Sequence, residues 1–180
     1  MAERKNSTTR PRELRQRVEH FESEHAIRAC MNRYMVLCDA LDARTPLDEL
    51  VDLFTKDAVW QGIGQKYRGT YGEIRGREAL RRMFAGYMKE PAHFSLNVHF
   101  LCSELIELQS ATRGFGAWVM LQTSTFADGR SHLNAARLTV DFARAKSSSK
   151  RWRMSHFRTE NLFSRPVDAW NAPDPVPVPE

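Results

Sequence analysis

Two hydrophobic rhythms divide the chain. Between Leu14 and Leu41 the apolar positions Leu14, Val18, Phe21, Ile27, Met31, Tyr34, Met35, Cys38 and Leu41 recur mostly at three- and four-residue steps. That spacing puts them on one face of an α-helix and predicts a long helix from about Pro11 to Ala43. Thr45, Pro46 and Asp48 then read as an N-cap, a first-turn proline and an acidic third position, which open a short helix through Phe54. Ala58–Gly62 reads as a short strand, and the Gly- and Tyr-rich stretch from Gly62 to Gly72 as a loop or irregular hairpin. Gly76–Met88 repeats the helical rhythm, with Gly76 as its candidate cap.

After Pro91 the period changes. His93–Leu108, Arg113–Ala127, Ser131–Ala143 and Arg151–Phe163 read as four long strands, with Ala127-Asp-Gly-Arg130 as a hairpin turn. Lys146–Lys150 is a longer polar turn. Pro166, Pro173, Pro175, Pro177 and Pro179 mark a non-helical tail. Helices followed by an antiparallel meander predict an α+β fold, a curved antiparallel sheet wrapped around helices into a cone-shaped barrel. The mouth of such a cone is expected to hold a largely apolar pocket with a few polar groups. The expected organisation is a flexible N-terminal arm over 1–11, an α+β barrel domain over 12–163 and a Pro-rich tail over 164–180.

Composition narrows the classes. A chain of 180 residues with 42% hydrophobic and 27% charged residues fits one globular domain. No apolar run approaches the roughly 18 residues of a membrane span, and Met1–Arg10 has no apolar segment of a secretory signal. Cys30, Cys38 and Cys102 form no close pair, so free thiols in a reducing compartment, the cytoplasm, are expected. The net charge of +5 leans on arginines near the start. Without a groove-reading motif or stacking aromatics, that reads as a solvated basic end, with neither nucleic acid nor membrane as partner.

The chemistry centres on Asp39, inside Tyr34-Met-Val-Leu-Cys-Asp39-Ala-Leu41. A carboxylate in an apolar setting is costly unless paired or protonated. The strand-like run His93-Phe-Ser-Leu-Asn97-Val-His99-Phe100 offers a partner. By strand alternation His93, Ser95, Asn97 and His99 share one face. A His brought to Asp39 by the fold would form an acid/base pair with it, held in one tautomer and made more basic by the carboxylate. Asn97 orients a neighbour, and His99 is assigned a structural role. Tyr34 would hydrogen-bond a substrate oxygen. His132 and Asn134 share a parity, as do His156 and Arg158 with Trp152 and Met154. Arg158 would hold a phenolate or carboxylate, or pair with Asp141 or Glu160. His20 and Glu24 lack a third metal ligand, and Gly62-Ile-Gly64 lacks the third glycine of a dinucleotide loop. Neither metal nor cofactor is expected.

Four local patterns in order carry a resemblance: Tyr34 with Asp39; Leu50-Val-Asp-Leu-Phe-Thr-Lys-Asp57-Ala-Val-Trp60; Ile74-Arg-Gly76-Arg-Glu-Ala-Leu80; and His93-x-x-x-Asn97. Over residues 22–163 the chain resembles the nuclear transport factor 2-like superfamily, within the SnoaL-like group that includes scytalone dehydratase and bile acid dehydratase. The resemblance implies a pocket holding Tyr34, Asp39 and His93 as catalytic residues. Asn97, Trp118, His132, His156 and Arg158 are the expected substrate-binding residues. The related dehydratases carry a second His or Asp on the next long strand, where this chain reads Gly114-Phe-Gly-Ala-Trp118. The implied activity is a cofactor-independent lyase, removing water or a small carbonyl fragment, or an isomerase, on a small, apolar, aromatic or polycyclic substrate. A polyketide-type cyclase and a non-catalytic subunit like that of ring-hydroxylating dioxygenases are the alternatives. The resemblance also implies a homodimer or homotrimer.

Overall fold

The computed structural model describes residues 9–67, 72–144 and 151–168. The long apolar stripe forms α1 (Thr9–Asp39), followed by α2 (Leu47–Asp52). Then come β1 (Phe54–Ile63), a 3-10 turn at Gln65–Tyr67, β2 (Glu73–Arg75) and α3 (Arg77–Tyr87). Four long strands follow: β3 (Phe94–Ser110), β4 (Arg113–Phe126), β5 (Ser131–Ala143) and β6 (Arg153–Val167). The sheet runs β2-β1-β6-β5-β4-β3. The fold is the α+β cone. Its sheet is mixed rather than wholly antiparallel, because β1 lies parallel to β6 and joins the start of the sheet to its end.

Only part of the α1 stripe meets the core. Leu14, Val18 and Phe21 are exposed, whereas Ile27 and Met31 are fully buried with Phe54, Phe142 and Met154. Burying such side chains is worth about 1.5–3 kcal/mol each. The second half of α1 is therefore the half that packs onto the sheet. Gly76 caps α3 with φ 84°, in the region that glycine enters without a Cβ penalty.

Three expected boundaries move for identifiable reasons. The Thr45 hydroxyl bonds the Ala40 carbonyl and accepts from the Asp42 amide at 3.0 Å, so it ends α1 instead of capping α2. The cap position of α2 falls to Pro46. Strand β6 runs four residues past Phe163, through Pro166 opposite His132. The pairing with β1 ends at Glu160, so the missing N–H of Pro166 breaks no ladder on that side. Residues 1–8 of the expected arm, the Lys146–Lys150 turn and 169–180 of the expected tail lie outside the described residues.

Register slips re-aim the strands. Phe94 pairs with Phe126 but Leu96 with Thr125, so Ser95 is an extra residue in β3. In β6, Ser155 is extra between His156 opposite Asp141 and Met154 opposite Phe142. Leu162 is extra between Phe163 opposite Ala135 and Asn161 opposite Ala136. Each β-bulge reverses which face the following residues occupy.

On β4 the missing side chain of Gly116 makes room for the indole of Trp118. A Cβ built there would stand 2.2 Å from the ring. Trp118 is itself 2% exposed, so the ring has nowhere to retreat. Gly116→Ala should lower unfolding free energy by about 1–3 kcal/mol, the usual cost of overpacking, in a denaturant titration. An unchanged midpoint would mean that the ring is not confined as described.

Candidate functional site

A cavity of about 550 Å³ lies between α1, α3 and the inner face of β3–β6. Its walls are mostly aromatic and thioether groups, among them Trp60, Met83, Phe84, Phe126 and Phe157. This size and lining suit a small apolar ligand. Its amide side chains come from the strands, with Asn97 beside His99 on β3, Gln122 on β4, Asn134 beside His132 on β5 and Asn161 on β6.

Asp39 is the last residue of α1, and its Oδ1 accepts two hydrogen bonds from one residue, His99. The His99 backbone amide donates at 2.9 Å, and ring Nδ1 stands at 2.6 Å. The negative end of the helix dipole makes this a poor place for an unassisted carboxylate, so both donors are needed. Because the carboxylate accepts, Nδ1 carries the proton. Nε2 is then left with its lone pair on the edge of a ring that lines the cavity. The His99 side chain is 11% exposed, and Asp39 stands behind it, outside the cavity lining.

The expected pairing of Asp39 with His93 is thus replaced by pairing with His99. The bulge at Ser95 separates the two histidines. Beyond it, Asn97 and His99 face inward opposite Ser124 and Gln122. His93 precedes β3 and still borders the cavity, but its ring packs edge-on against Tyr87, Phe94 and Phe126. Alternation counted without the bulge hid this difference. A clue stood in the sequence, since each of the four long strands carries at least one amide-bearing or imidazole side chain at a cavity-lining position.

Tyr34, Asn97 and His132 line the cavity as expected. Tyr34 is 5% exposed, and its phenol is buried beside the Cys38 thiol and Trp60. Burial, with the Cys38 thiol beside it, pushes the phenol well above its ordinary range, so it acts as a donor and not as a base. Burial likewise pushes the Cys38 thiol up to about 12, which removes it as a nucleophile at neutral pH.

Trp118, His156 and Arg158 lie off the cavity, contrary to expectation. The Trp118 ring folds back over Gly116 and donates Nε1–H to Glu104 at 3.2 Å. The bulge at Ser155 turns Phe157 and Thr159 inward and His156 and Arg158 outward. There Arg158 pairs with Asp141 at 2.8 Å and donates to His156 Nδ1 at 2.7 Å, while His156 Nε2 meets Gln61 Oε1 at 3.2 Å. Of the two uses foreseen for Arg158, the structural ion pair is the one present. Among the described residues, no three His, Cys, Asp or Glu side chains cluster as metal ligands would.

This fold and cavity belong to a known family. The chain is a member of the SnoaL-like domain family, whose model matches residues 19–158. Comparison with curated protein sequences finds no match. Among solved structures, a protein from Novosphingobium aromaticivorans assigned as a scytalone dehydratase is similar with a TM-score of 0.67 at 15% identity, covering 86% of this chain and 97% of that one. A hexachlorocyclohexane dehydrochlorinase of the LinA type, from Novosphingobium barchaimii, gives 0.65 at 18% identity over 83% and 93%. A protein assigned as an aromatic ring hydroxylase, from Novosphingobium aromaticivorans, gives 0.66 at 20% identity over 82% and 94%. At these identities the likeness is one of fold.

Outside the cavity, His156 gives a pH test of the network. Burial, then the Arg158 charge, lowers its pKa below 6.5. The folded state therefore binds fewer protons than the unfolded chain between the two values. The stability this group contributes is whole above about 6.5 and is lost as pH falls through the folded value. An NMR titration should place the His156 midpoint below that of a free imidazole, and His156→Gln should remove part of the acid-side loss of stability. A midpoint above 6.5 would contradict the neutral, Arg158-bonded ring.

Proposed function

We propose that the protein is a cofactor-independent lyase that eliminates water or a halide from a small, apolar, cyclic substrate. The observation that carries this reading is the Asp39–His99 pair, with Nδ1 held by the carboxylate and the other ring edge lining an apolar cavity. A general base needs an available lone pair and a fixed tautomer, and this arrangement supplies both. Relatives of the same fold named as a dehydratase and a dehydrochlorinase favour elimination over other proton-transfer chemistry.

In the proposed step, His99 Nε2 takes a proton from a substrate carbon. The C–H electron pair becomes the new π bond, and the leaving group departs from the adjacent carbon. A halide leaves with the bond pair. A hydroxyl leaves as water by taking a proton back from the His99 imidazolium, so one residue serves both transfers on one face. This requires no second acid or base, and so accommodates the Trp118 region, which brings none. Asp39 stabilises the imidazolium and fixes the ring. Tyr34, kept protonated by burial, lines the same cavity from α1 as a neutral donor.

The test is a panel of chlorinated and hydroxylated cyclohexane and dihydroaromatic substrates, followed by release of halide or water. His99→Ala should lower turnover by roughly 10²–10⁴-fold, the range for losing a general base. Asp39→Asn should cost a similar order, and the double variant should be scarcely worse than the worse single one. His93→Ala should stay within about tenfold of the parent, because its aromatic packing implies positioning rather than proton transfer. Loss of turnover in His93→Ala with full activity in His99→Ala would reverse the assignment.

A further inference from the structure

Helix α1 carries two apolar stripes on different faces. Ile27, Met31, Tyr34, Met35 and Cys38 face the sheet and are buried. Leu14, Val18 and Phe21 keep three- and four-residue steps, but the step from Phe21 to Ile27 is six residues. At about 100° per residue, the first stripe stands roughly 150° around the helix from the second. It therefore looks away from the body of the fold. Its three side chains are between 46% and 61% exposed, and the line continues through His25, which is exposed as well. Among the described residues, every side chain from Arg10 to Glu22 is exposed. A helical segment of this length is marginal in water on its own, and large apolar side chains along one line call for a cover.

The charges beside this line select what covers it. Leu14, Val18, Phe21 and His25 are spaced four, three and four residues apart, as the seam of a two-helix coiled coil is. Arg15 and Glu22 flank the seam on one side, and Arg17 and Glu24 on the other, so basic precedes acidic on both flanks. Against a second copy running the opposite way, Val18 meets Phe21 of the other copy and Leu14 meets His25. Each Arg15 then faces a Glu22 and each Arg17 a Glu24, which makes four opposite-charge pairs. Sliding by one heptad sets Arg15 against Arg15 and Arg17 against Arg17, or Glu22 against Glu22 and Glu24 against Glu24. A parallel pair keeps Arg17 against Glu22 but sets Arg10 against Arg15. The charges thus specify both direction and register. In the single chain Arg15 bonds Glu19 at 3.1 Å and Glu24 lies 3.0 Å from His20. Both are surface i,i+4 pairs, weak enough for the same charges to face a partner.

We propose that the first half of α1 is a homodimer interface, pairing antiparallel with the same segment of a second copy about a two-fold axis beside Val18 and Phe21. A two-fold contact is self-complementary, so this one patch serves both chains. The paired stretch, residues 10–29, spans about 30 Å at 1.5 Å per residue. The residues of α1 that line the cavity, Tyr34, Met35, Cys38 and Leu41, lie on its other face, so the pairing leaves the cavity of each copy intact. Phe100 and Leu105 on β3 are also exposed, and the experiment separates that surface from this one.

The experiment is sedimentation velocity of the full chain at micromolar concentration. The parent protein should sediment at twice the 20.8 kDa of one chain. Val18→Asp combined with Phe21→Asp should give the single-chain mass, while Phe100→Asp on the sheet should leave the dimer unchanged. Arg15→Glu and Glu22→Arg should each raise the dimer dissociation constant about tenfold, since each turns two attractive pairs into repulsive ones. Made together they restore opposite charges in the antiparallel register, and affinity should return to within about threefold of the parent. In a parallel pair the combined change would leave Arg17 facing a new positive charge, and affinity would not return. A single-chain or trimer mass in the parent, a dimer that survives the Val18 and Phe21 changes, a dimer lost in Phe100→Asp, or no recovery in the combined charge variant would each overturn the proposal. The parent measurement needs no variant, and every substituted position is exposed, so misfolding cannot mask the answer.

Discussion

A carboxylate at the C-terminal end of a helix has to find donors, because the helix dipole there opposes its charge. Asp39 finds two on a single residue of β3, and hydrogen bonds to a charged group are worth about 1.5–3 kcal/mol each. One donor is the His99 backbone amide, which fixes the strand relative to the helix. The other is the ring, which fixes the tautomer. The same contact therefore closes α1 onto the sheet and readies the imidazole. One residue earlier, the Cys38 carbonyl accepts from Asn97, so the final turn of α1 anchors both the dyad and the Asn97 amide. Helix geometry, sheet register and site chemistry meet at that turn.

The two halves of the cavity are built on different principles. On the α1 side a charge is balanced by two donors, which leaves a basic lone pair facing an apolar space. Across the strands, from Asn97 through Gln122 and Asn134 to Asn161, neutral amides are joined head to tail. Between them lie aromatic and thioether walls, a low-polarity setting that strengthens electrostatic interactions.

Much of this was legible in the sequence. Periodicity located the helices and the four long strands, and the apolar setting of Asp39 marked it as needing a partner. Strand alternation correctly grouped Asn97 with His99 and His132 with Asn134. It failed at Ser95 and Ser155, because a bulge inserts one residue without an outward sign in the local pattern and reverses everything beyond it. His156 and Arg158 were drawn toward the cavity for that reason, whereas His93 was favoured over His99 by the resemblance, since alternation places both on one face. Trp118 was misplaced for another. It was placed in the cavity by the resemblance, but the space left by Gly116 lets the indole lie back toward Glu104. The places of Gln122 and Asn161 among the joined amides rest on hydrogen bonds between strands, which no single strand's pattern contains.

The central claim is that Asp39 holds the proton on His99 Nδ1 and leaves Nε2 as a base. Side-chain ¹⁵N NMR of the histidines at a pH where the ring is neutral reads this directly. The account predicts that His99 is held in the Nδ1–H tautomer, and that Asp39→Asn releases it toward the Nε2–H form favoured by free imidazole. A His99 already in the Nε2–H form in the parent protein, or one unaffected by Asp39→Asn, would contradict it.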